Sequence, residues 1–518
     1  MSGRGRSSKR SGPAVRCRKA PTLEANLQLE DPSTRRLDAT LASAQGKAVP
    51  VPFDTSDVGA KLVAYVSQGL YGDPRDSLRE YAQNAVDAEA TRIDIVVSEN
   101  NVLIEDDGSG MSLADLMRAK RIAMSEKDPT KDVGRLGLGI YSSYYICETM
   151  RIETQTKGSQ QRFIMSFHFG KMRELLEQDD RSDQIALVEL LQAHTDIRFD
   201  VTAPAERSGT IVHLENLMAG AYDELSDWPS LQRYLIDRLP VGYDDSLVGR
   251  PEIEQRITSW VNRYHSVAVW LENTESGDKG FVKRTFPSDP PLEEPRFYEI
   301  FENSDGTGER IAGVWASIGS NKVIRHQAAG FLYKYRGFTV GDADRLRKFF
   351  KRSTAYDWFV GEVWVLDAAG VQTNTARNDF ETNAAKRRLE AGVKKVFEQL
   401  GTLADKKSNF ANAEKLAQKA ETTLAEVEGA LATTPAATEL YRLRLHVHEI
   451  TTSLERPRKL DMDAASRPLS IRLGRAKEHA HRLQRQLDEL DRARDGKPEP
   501  RDDGRPMRDG DSSRPRTT

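Results

Sequence analysis

Three polar residues are spaced so that one face of a predicted helix carries them together. Glu80, Asn84 and Asp87 are four and three residues apart in the segment SLREYAQNAVDAEA, and residues at these spacings project from the same side of an α-helix. A carboxylate on such a face can act as a general base, and an amide oxygen beside it can ligate a hard cation. Taken alone, a polar helix face is more often simply solvated.

A second group of polar and small residues follows the alternating apolar strand at 101–105. It consists of Asp106, Asp107, Gly108, Ser109, Gly110 and Met111. A carboxylate at the end of a strand can accept a hydrogen bond from an exocyclic amine, and glycines allow a ligand to approach the backbone. An acidic hairpin turn is the alternative interpretation.

A third segment is rich in glycine and is predicted to open an apolar helix over residues 140–147. Its residues are Gly134, Arg135, Leu136, Gly137, Leu138, Gly139 and Ile140. The amides of such a loop can point at phosphates, and the N-terminus of a helix favours an anion. The preceding residues 125–133 are polar and predict no strand, so the segment does not fit a Rossmann fingerprint.

The order of these three segments is more specific than any one of them. A helix with E-x-x-x-N-x-x-D-A precedes D-x-G-x-G and then G-x-x-G-x-G. On these motifs the sequence resembles the GHKL ATPase superfamily and, within it, most closely the heat shock protein 90 chaperones. LYGDPRDSLREYAQNAVDA is similar to the first ATP-binding helix of that family, and GRLGLGIYSSYYICE to its third motif. GVQTNTARNDFE is similar to the middle-domain loop whose arginine reaches the ATP γ-phosphate, and the resemblance covers about residues 53–400.

The resemblance implies an ATPase of low turnover that uses ATP and Mg²⁺ as cofactors. Glu80 would be the general base that activates water, and Asn84 would ligate the Mg²⁺ that bridges the phosphates. Arg377 would stabilise charge on the transferred phosphoryl group, although it could also be an ordinary surface arginine. Asp106 would accept a hydrogen bond from the adenine amine, and Thr210 would help to hold adenine through water.

The remaining residues that the resemblance implies at the nucleotide fall into three groups. Gly108 and Gly110 would make room for the base, and Gly134, Gly137 and Gly139 would wrap the phosphates. The others are Asp87, Ala88, Met111, Ser125, Lys127, Leu138 and Ile140. The chain departs from the family near Met124, where the family has a lysine and where Ser125 and Lys127 are the nearest polar residues. It also has Ile140 where the chaperones often have phenylalanine.

The elements that must position these residues alternate between helix and strand, which predicts an α/β (α+β) protein. We expect a Bergerat-type ATP-binding α/β sandwich over residues 51–217. A second α/β domain, the middle domain with the catalytic arginine loop, would cover 218–400. A C-terminal helical bundle or coiled coil would cover 403–495, and 1–50 and 496–518 would be disordered tails, the first of them basic.

Alternation of apolar residues locates the strands of both predicted domains, and we expect those of the first domain to pair mostly antiparallel. RIDIVVSENNVLIEDDG is predicted to form two strands with a turn at 99–101, and a helix is predicted at 383–400. The other predicted strands are MRIETQT, RFIMSFHFG and TIVHLENL in the first domain, and AGVWASIG, GFLYKYRGFTV and VGEVWVLD in the second.

Apolar residues in the C-terminal part recur at steps of three and four, as in helices that pack at a shallow angle. The three runs cover 410–431, 440–454 and 469–490, and Pro435, Pro457 and Pro468 are expected to separate them. The helices could satisfy one another within one chain, or they could make the protein a homodimer. We expect self-association, because an ATP-driven clamp needs two nucleotide domains held together.

Composition and charge limit which cellular compartment and which binding partners are expected. The 518 residues include 76 Lys+Arg and 79 Asp+Glu, a net charge of -3, so the chain as a whole does not demand nucleic acid. Cys17 and Cys147 are its two cysteines, which excludes a disulfide framework and predicts a reducing compartment. No apolar run approaches the roughly 20 residues that span a bilayer, so we expect a cytoplasmic protein without a membrane partner.

Two functions fit these observations. The first is a chaperone of the heat shock protein 90 type, which uses ATP-driven closure to act on client proteins. The alternative is a GHKL ATPase of the MORC or MutL kind that acts as a nucleic-acid clamp, with the basic arm at residues 1–20 and the coiled coil as its binding parts. The sequence favours the first.

Overall fold

The computed structural model describes most of the chain between residues 57 and 494. The described residues are 57–122, 139–178, 185–200, 207–261, 266–303, 305–374, 377–433, 435–456, 460 and 466–494. The tails predicted at 1–50 and 496–518 lie outside them. Within these ranges, none of the helices is both long and apolar enough to cross a membrane.

The described residues divide into two compact units. The smaller unit contains 57–64, 172–178 and 185–194. Its segments are joined by backbone hydrogen bonds, in which the Ala60 amide donates to Ile185 over 2.9 Å and the Leu187 amide donates to Val58 over 2.8 Å. The larger unit contains the other described residues, including all the strands named below and the three C-terminal helices.

Helices and strands alternate through the first part of the chain, and the last part is helical. The helices are α1 (Lys61–Leu70), α2 (Arg75–Asp87), α3 (Leu113–Ala119), α4 (Phe169–Leu176), α5 (Leu187–Ala193), α6 (Ala219–Ser226), α7 (Trp228–Arg238), α8 (Arg250–Trp260), α9 (Ser353–Tyr356), α10 (Ala384–Leu431), α11 (Ala437–Glu455) and α12 (Ser466–Arg494). The strands are β1 (Arg92–Ser98), β2 (Asn101–Asp106), β3 (Cys147–Gln155), β4 (Arg162–Phe167), β5 (Thr195–Asp200), β6 (Gly209–Leu217), β7 (Ala268–Asn273), β8 (Lys279–Val282), β9 (Arg296–Phe301), β10 (Arg310–Ile318), β11 (Gly330–Tyr335), β12 (Phe338–Val340) and β13 (Phe359–Val365).

The first sheet has eight strands in the order β5-β4-β3-β6-β2-β1-β7-β8. Its pairs are antiparallel except for β1 with β7, which confirms the predicted pairing. The alternation in β1 buries Ile93, Ile95 and Val97 on one face, as a sheet covered on one side requires. Because β7 and β8 come from the region after residue 217, the sheet extends across the domain boundary that the sequence predicted, and the domain limits stay a prediction.

The second sheet has five strands in the order β12-β11-β13-β10-β9. All six residues of β11 and all seven of β13 are buried, because helices cover both faces of this sheet. On one face Phe331 packs against Phe397 of α10, with ring centroids 4.6 Å apart. On the other face Trp260 of α8 belongs to a cluster with Trp315 and Trp364.

Three C-terminal helices were predicted and are present, with one difference in extent. The helix predicted at 383–400 and the first C-terminal run form one continuous helix of 48 residues, α10. Its seam residues Ala417, Ala420 and Leu424 are buried within the chain, and the apolar stripes of α10, α11 and α12 form one large cluster and a smaller one that contains Ala417. These stripes are therefore satisfied in a single chain, and the homodimer stays a prediction.

Two local predictions were wrong. Residues 140–147 do not form an α-helix: a short 3₁₀ helix, Gly139–Ser143, is followed by a turn, and β3 begins at Cys147. This stretch is rich in Tyr and Ile, which favour strands over helices. Pro468 does not separate two helices but lies in the first turn of α12, where the missing N–H of proline has no helical partner to lose. The predicted break at Pro457 lies outside the described residues.

Candidate active site

Helix α2 places Glu80 at the centre of the site. Its Leu, Ala, Arg, Glu and Gln residues are good helix formers, and the helix ends before Glu89, whose φ is 60°. Glu80 is buried, with 9% of its surface exposed, whereas Asn84 is exposed. A Cβ atom at Gly139 would lie 3.4 Å from Oε2 of Glu80 and 3.7 Å from Nδ2 of Asn84. The structure therefore brings Glu80, Asn84 and Gly139 together, as the sequence predicted.

Arg377 meets Glu80 from a distant part of the chain. Its Nε lies 3.4 Å from Oε1 of Glu80, and each side chain is 11% exposed. Burial lowers the pKa of the Arg377 guanidinium from its ordinary value, while the charge of Glu80 raises it. A second guanidinium, that of Arg79, lies 3.7 Å from the same carboxylate oxygen. Arg377 is thus not an ordinary surface arginine, and it is held beside the carboxylate by their opposite charges.

The turn that carries Arg377 is fixed by its own side chains. Arg377 has a φ of 52°, and its amide donates to the carbonyl of Asn374 over 2.9 Å. The Asn374 side chain accepts from the Asn378 amide over 3.1 Å. Asp379 accepts from Lys386 of α10 over 2.6 Å and also pairs with Arg345. Sequence analysis missed Asn374, although an asparagine able to bond its own turn is a recognisable signal.

Asp106 ends β2 at the opposite end of the site. Its Oδ1 accepts from the Gly108 amide over 2.9 Å. Burial raises the pKa of Asp106 to about 6, although hydrogen bonds from the Gly108 and Thr210 amides oppose this rise. The neighbouring Asp107 accepts from the amides of Thr91 (2.7 Å) and Arg92 (2.8 Å). Asp107 therefore ties β1 to β2, and Asp106 is the carboxylate that can receive a ligand.

Glycines beside Asp106 allow close approach of the chain to itself. A Cβ at Gly108 would lie 2.9 Å from the carbonyl oxygen of Ala88. Gly110 has a φ of +67°, and a Cβ there would overlap the carbonyl oxygen of Gln155. Both positions thus need glycine for packing, in addition to the space for a base that the resemblance implies.

Hydroxyl groups complete this end of the site. Thr210 of β6 pairs with Asp106 in register, and its Oγ1 lies 3.2 Å from Oγ1 of Thr154. The Thr154 hydroxyl accepts from the Met111 amide over 2.8 Å. Sequence analysis missed Thr154, because only the register of β3 with β6 places it opposite Thr210.

The remaining predicted residues are described in part. Asp87 and Ala88 are half-buried at the end of α2, and Ile140 is buried in the 3₁₀ helix. Ser125, Lys127, Gly134, Gly137 and Leu138 lie outside the described residues.

The residues present fit ATP and Mg²⁺. Within the described ranges, no group of three or more His, Cys, Asp or Glu side chains could hold a metal ion. Mg²⁺ is commonly held by one or two protein oxygens together with substrate phosphates and water, and the exposed amide of Asn84 suits that mode. Asp106, which has a pKa of about 6, is mostly ionised at neutral pH and suits an amine donor.

One family of known proteins matches part of this chain. Residues 73–192 match a family described as histidine kinase-, DNA gyrase B-, and HSP90-like ATPase. This match supports a GHKL-type ATPase domain over these residues, which include Glu80 and Asp106 but do not extend to Thr210 or Arg377. The match does not distinguish the heat shock protein 90 chaperones from the other groups that the family includes.

Two further similarities are weaker. The chain is 26% identical over 123 residues to HgiDII of Herpetosiphon aurantiacus, a provisionally assigned type II restriction enzyme. The match covers 22% of this chain and 20% of that protein, so the chain matches only a fifth of the length of this relative. Among solved structures, the N-terminal domain of a DNA repair protein matches with a TM-score of 0.40 at 11% identity, over 66% of this chain and 98% of that one.

Proposed function

We propose that the protein binds ATP with Mg²⁺ and hydrolyses it, with Glu80 as the general base and Arg377 as the cation for the transferred phosphoryl group. The observation that carries this proposal is the 3.4 Å approach of Arg377 to Glu80. Hydrolysis of a phosphoanhydride needs a group that orients and deprotonates water, and positive charge where the phosphoryl group moves. These two side chains supply both at one point.

The other residues act on the two ends of the nucleotide. Asn84 would hold Mg²⁺, which when bound neutralises charge on the phosphates. Asp106 would accept from the adenine amine, with Thr210 and Thr154 beside it as hydroxyl partners. Asp107 takes no part in this, because its Oδ1 already accepts from the amides of Thr91 and Arg92 and its Oδ2 accepts from the Thr91 hydroxyl.

A double-mutant cycle tests whether Glu80 and Arg377 act as a unit. Phosphate release is measured on the full chain for the wild type, Glu80→Ala, Arg377→Ala and the double variant. The effects of residues that act together are strongly non-additive. We therefore expect the double variant to release phosphate at a rate within about threefold of the rate of Glu80→Ala alone. Nucleotide affinity is measured in parallel and should stay within a few-fold of the wild-type value in all variants.

The matched control is Arg352→Gln. Arg352 is an arginine that pairs with Asp405 at the surface, and the variant should hydrolyse ATP at the wild-type rate. Fully additive losses from Glu80 and Arg377 would show that they serve separate steps. No phosphate release from the wild type would contradict the ATPase proposal itself.

We further propose that ATP turnover acts on client proteins, as in the heat shock protein 90 chaperones. The resemblance at residues 53–400 supports this, since it includes both the nucleotide motifs and the segment around Arg377. The test is ATP-dependent suppression of aggregation of a heat-unfolded reporter enzyme. Glu80→Ala should lose the dependence on ATP, and suppression that is equal without nucleotide would contradict an ATP-driven action.

A second candidate function, a nucleic-acid clamp, is favoured by the similarity to HgiDII. Retention of the full chain on duplex DNA, measured across a salt series, separates the two candidates. Salt-sensitive retention that is lost when residues 1–20 are deleted would favour the clamp. Absence of retention together with ATP-dependent suppression of aggregation would favour the chaperone.

A further inference from the structure

A cavity of about 560 Å³ lies between α7 and the second sheet, and none of the residues assigned to the nucleotide lines it. Its lining includes six arginines and four aspartates. Helix α7 supplies one wall, and the loop that precedes β11 supplies another, with Arg325 and His326. The volume falls within the roughly 300–1,000 Å³ of sites that take small molecules.

The cations of this cavity are not all neutralised. Four of the six arginines have a carboxylate partner at 2.6–3.8 Å. In the part of the chain that the structure describes, Arg238 and Arg325 have none at ion-pair distance. Arg238 donates instead to the carbonyl of Gly341 and lies over the ring of Tyr234. Arg325 is exposed at the mouth of the cavity.

A buried ammonium group lies behind the same wall. Lys334 of β11 is 4% exposed, and its ammonium group has neither a hydrogen bond nor an ion pair among the described residues. It pairs in register with Thr339, and Leu332 is two residues away on the same strand. Because paired and alternate residues share one face of a sheet, Lys334 lies on the face that presents Leu332 and Thr339 to the cavity.

The positive charge on Lys334 favours an anion in the cavity. Burial lowers the pKa of Lys334 to about 8, while the charge of Glu362 raises it, so at pH 7 the ammonium form still dominates. Glu362 itself accepts from Arg284 over 2.6 Å and from Tyr243 over 2.5 Å. A buried charge without a hydrogen-bonded partner is costly, and an anion in the adjoining cavity would reduce that cost.

We propose that this cavity is a binding site for a small ligand with two or more phosphate groups, separate from the ATP site. Guanidinium forks match phosphate oxygens in pairs, and Arg238 and Arg325 are available for such contacts. Lys334 supplies positive charge from behind the wall. The site rests on these residues and does not depend on ATP hydrolysis.

Calorimetric titration of the full chain with tripolyphosphate tests the proposal. The titration is done at pH 7 after the ATP site has been filled with one equivalent each of Mg²⁺ and a non-hydrolysable ATP analogue, so that no excess of either remains to occupy the cavity or to bind tripolyphosphate. We expect one site per chain. Arg325→Gln should weaken it by about tenfold, because a charge-assisted contact is lost. Lys334→Met, which keeps the volume of the side chain, should weaken it by a similar factor.

Arg296→Gln is the matched control, since Arg296 is an exposed arginine of β9 that does not line the cavity, and it should leave the affinity unchanged. Arg325 is exposed, so the Arg325→Gln result stands even if Lys334→Met does not fold. Absence of binding, or equal affinity in all variants, would overturn the proposal.

Duplex DNA of 20 base pairs is titrated as a second probe. DNA binding that is sensitive to Arg325→Gln, without tripolyphosphate binding, would make the cavity part of a nucleic-acid surface and would also overturn the proposal. Failure of the ATP analogue to bind would count against the ATPase and not against this site, because the cavity variants do not touch the nucleotide residues.

Discussion

The two ends of the candidate active site are built in different ways. At the end proposed to hold adenine, Asp106, Thr154 and Thr210 come from three neighbouring strands of one sheet, β2, β3 and β6, and backbone pairing fixes their positions. At the end proposed to hold the phosphates, Glu80 from α2 lies beside Arg377 from a turn that precedes α10. The first end is set by strand register, and the second by the packing of one region against another.

We expect this difference to separate the residues that bind ATP from the residues that determine its turnover. Residues fixed by the register of a sheet are preorganised for the base, and changes there should affect affinity. A cation that depends on the position of a turn can move relative to the base, so changes there should affect rate.

The largest expected effect is that of Glu80→Ala on turnover. Loss of the general base should lower the rate of phosphate release by about 10²–10⁴-fold and leave nucleotide affinity within a few-fold. Phosphate release and equilibrium titration on the same preparation measure the two quantities. Turnover equal to the wild type would remove Glu80 from the reaction.

Arg377→Ala should follow, with a loss of about 10²–10³-fold in turnover and little change in ATP affinity. The contact contributes where charge develops and not to recognition of adenine. Arg377→Lys keeps the charge without the planar fork and should recover part of the rate. A loss of affinity as large as the loss of rate would mean that Arg377 binds the ground state, which would break the division between the two ends.

Asp106→Asn should lower the affinity for ATP by about 10- to 100-fold. An amide that faces the adenine amine can present a donor to a donor, and unpaired groups of this kind cost about 1–3 kcal/mol. The rate at saturating ATP should change much less than the affinity. Calorimetric titration that gives wild-type affinity would place adenine elsewhere.

ATP affinity should fall about tenfold as the pH is lowered from 8 to 5, because Asp106 becomes protonated below its pKa of about 6. Thr210→Val, which changes a hydroxyl beside Asp106 without changing a charge, should bind more weakly but show the same pH dependence. A flat profile in Asp106→Asn, against a sloped one in Thr210→Val, would assign the titration to Asp106.

The smallest expected effect is on stability. Burial raises the folded-state pKa of Asp106 above its model value of 3.8 to about 6. The neutral carboxyl therefore stabilises the fold below pH 3.8, and that contribution is lost as the pH rises through 6. At pH 8 Asp106→Asn should raise the free energy of unfolding by about 1–2 kcal/mol. The gain measured by denaturant titration should shrink towards pH 4, and a destabilised variant at pH 8 would contradict it.

Sequence periodicity predicted the elements that hold the site more reliably than their limits. The helix with Glu80 and the hairpin that ends at Asp106 follow from local signals, namely good helix formers and alternating apolar residues. Thr210 was identified by resemblance, but its neighbour Thr154 depends on which strands pair and in what register. Local patterns do not contain that information.

The wrong predictions have related causes. Residues 140–147 are apolar without a clear period, so a helix and a turn into β3 could not be told apart from the pattern alone. The domain limit at 217 stays a prediction, and the parallel pairing of β7 with β1 across it is a contact that local patterns do not contain. The approach of Arg377 to Glu80 likewise arises from packing between distant segments.

Helix α10 begins soon after the Arg377 turn and extends to the C-terminal bundle. Its N-cap, Asn383, follows the turn closely, and the part of the helix up to Ala411 packs against the core of the second sheet. The 20 residues from Asn412 to Leu431 continue beyond that support, a length of about 30 Å at 1.5 Å per residue. A tilt of roughly 10° where the helix leaves the sheet would displace its far end by about 5 Å. With such a tilt the helix would act as a lever arm, in which an ångström-scale adjustment near Arg377 becomes a larger displacement at the C-terminal bundle.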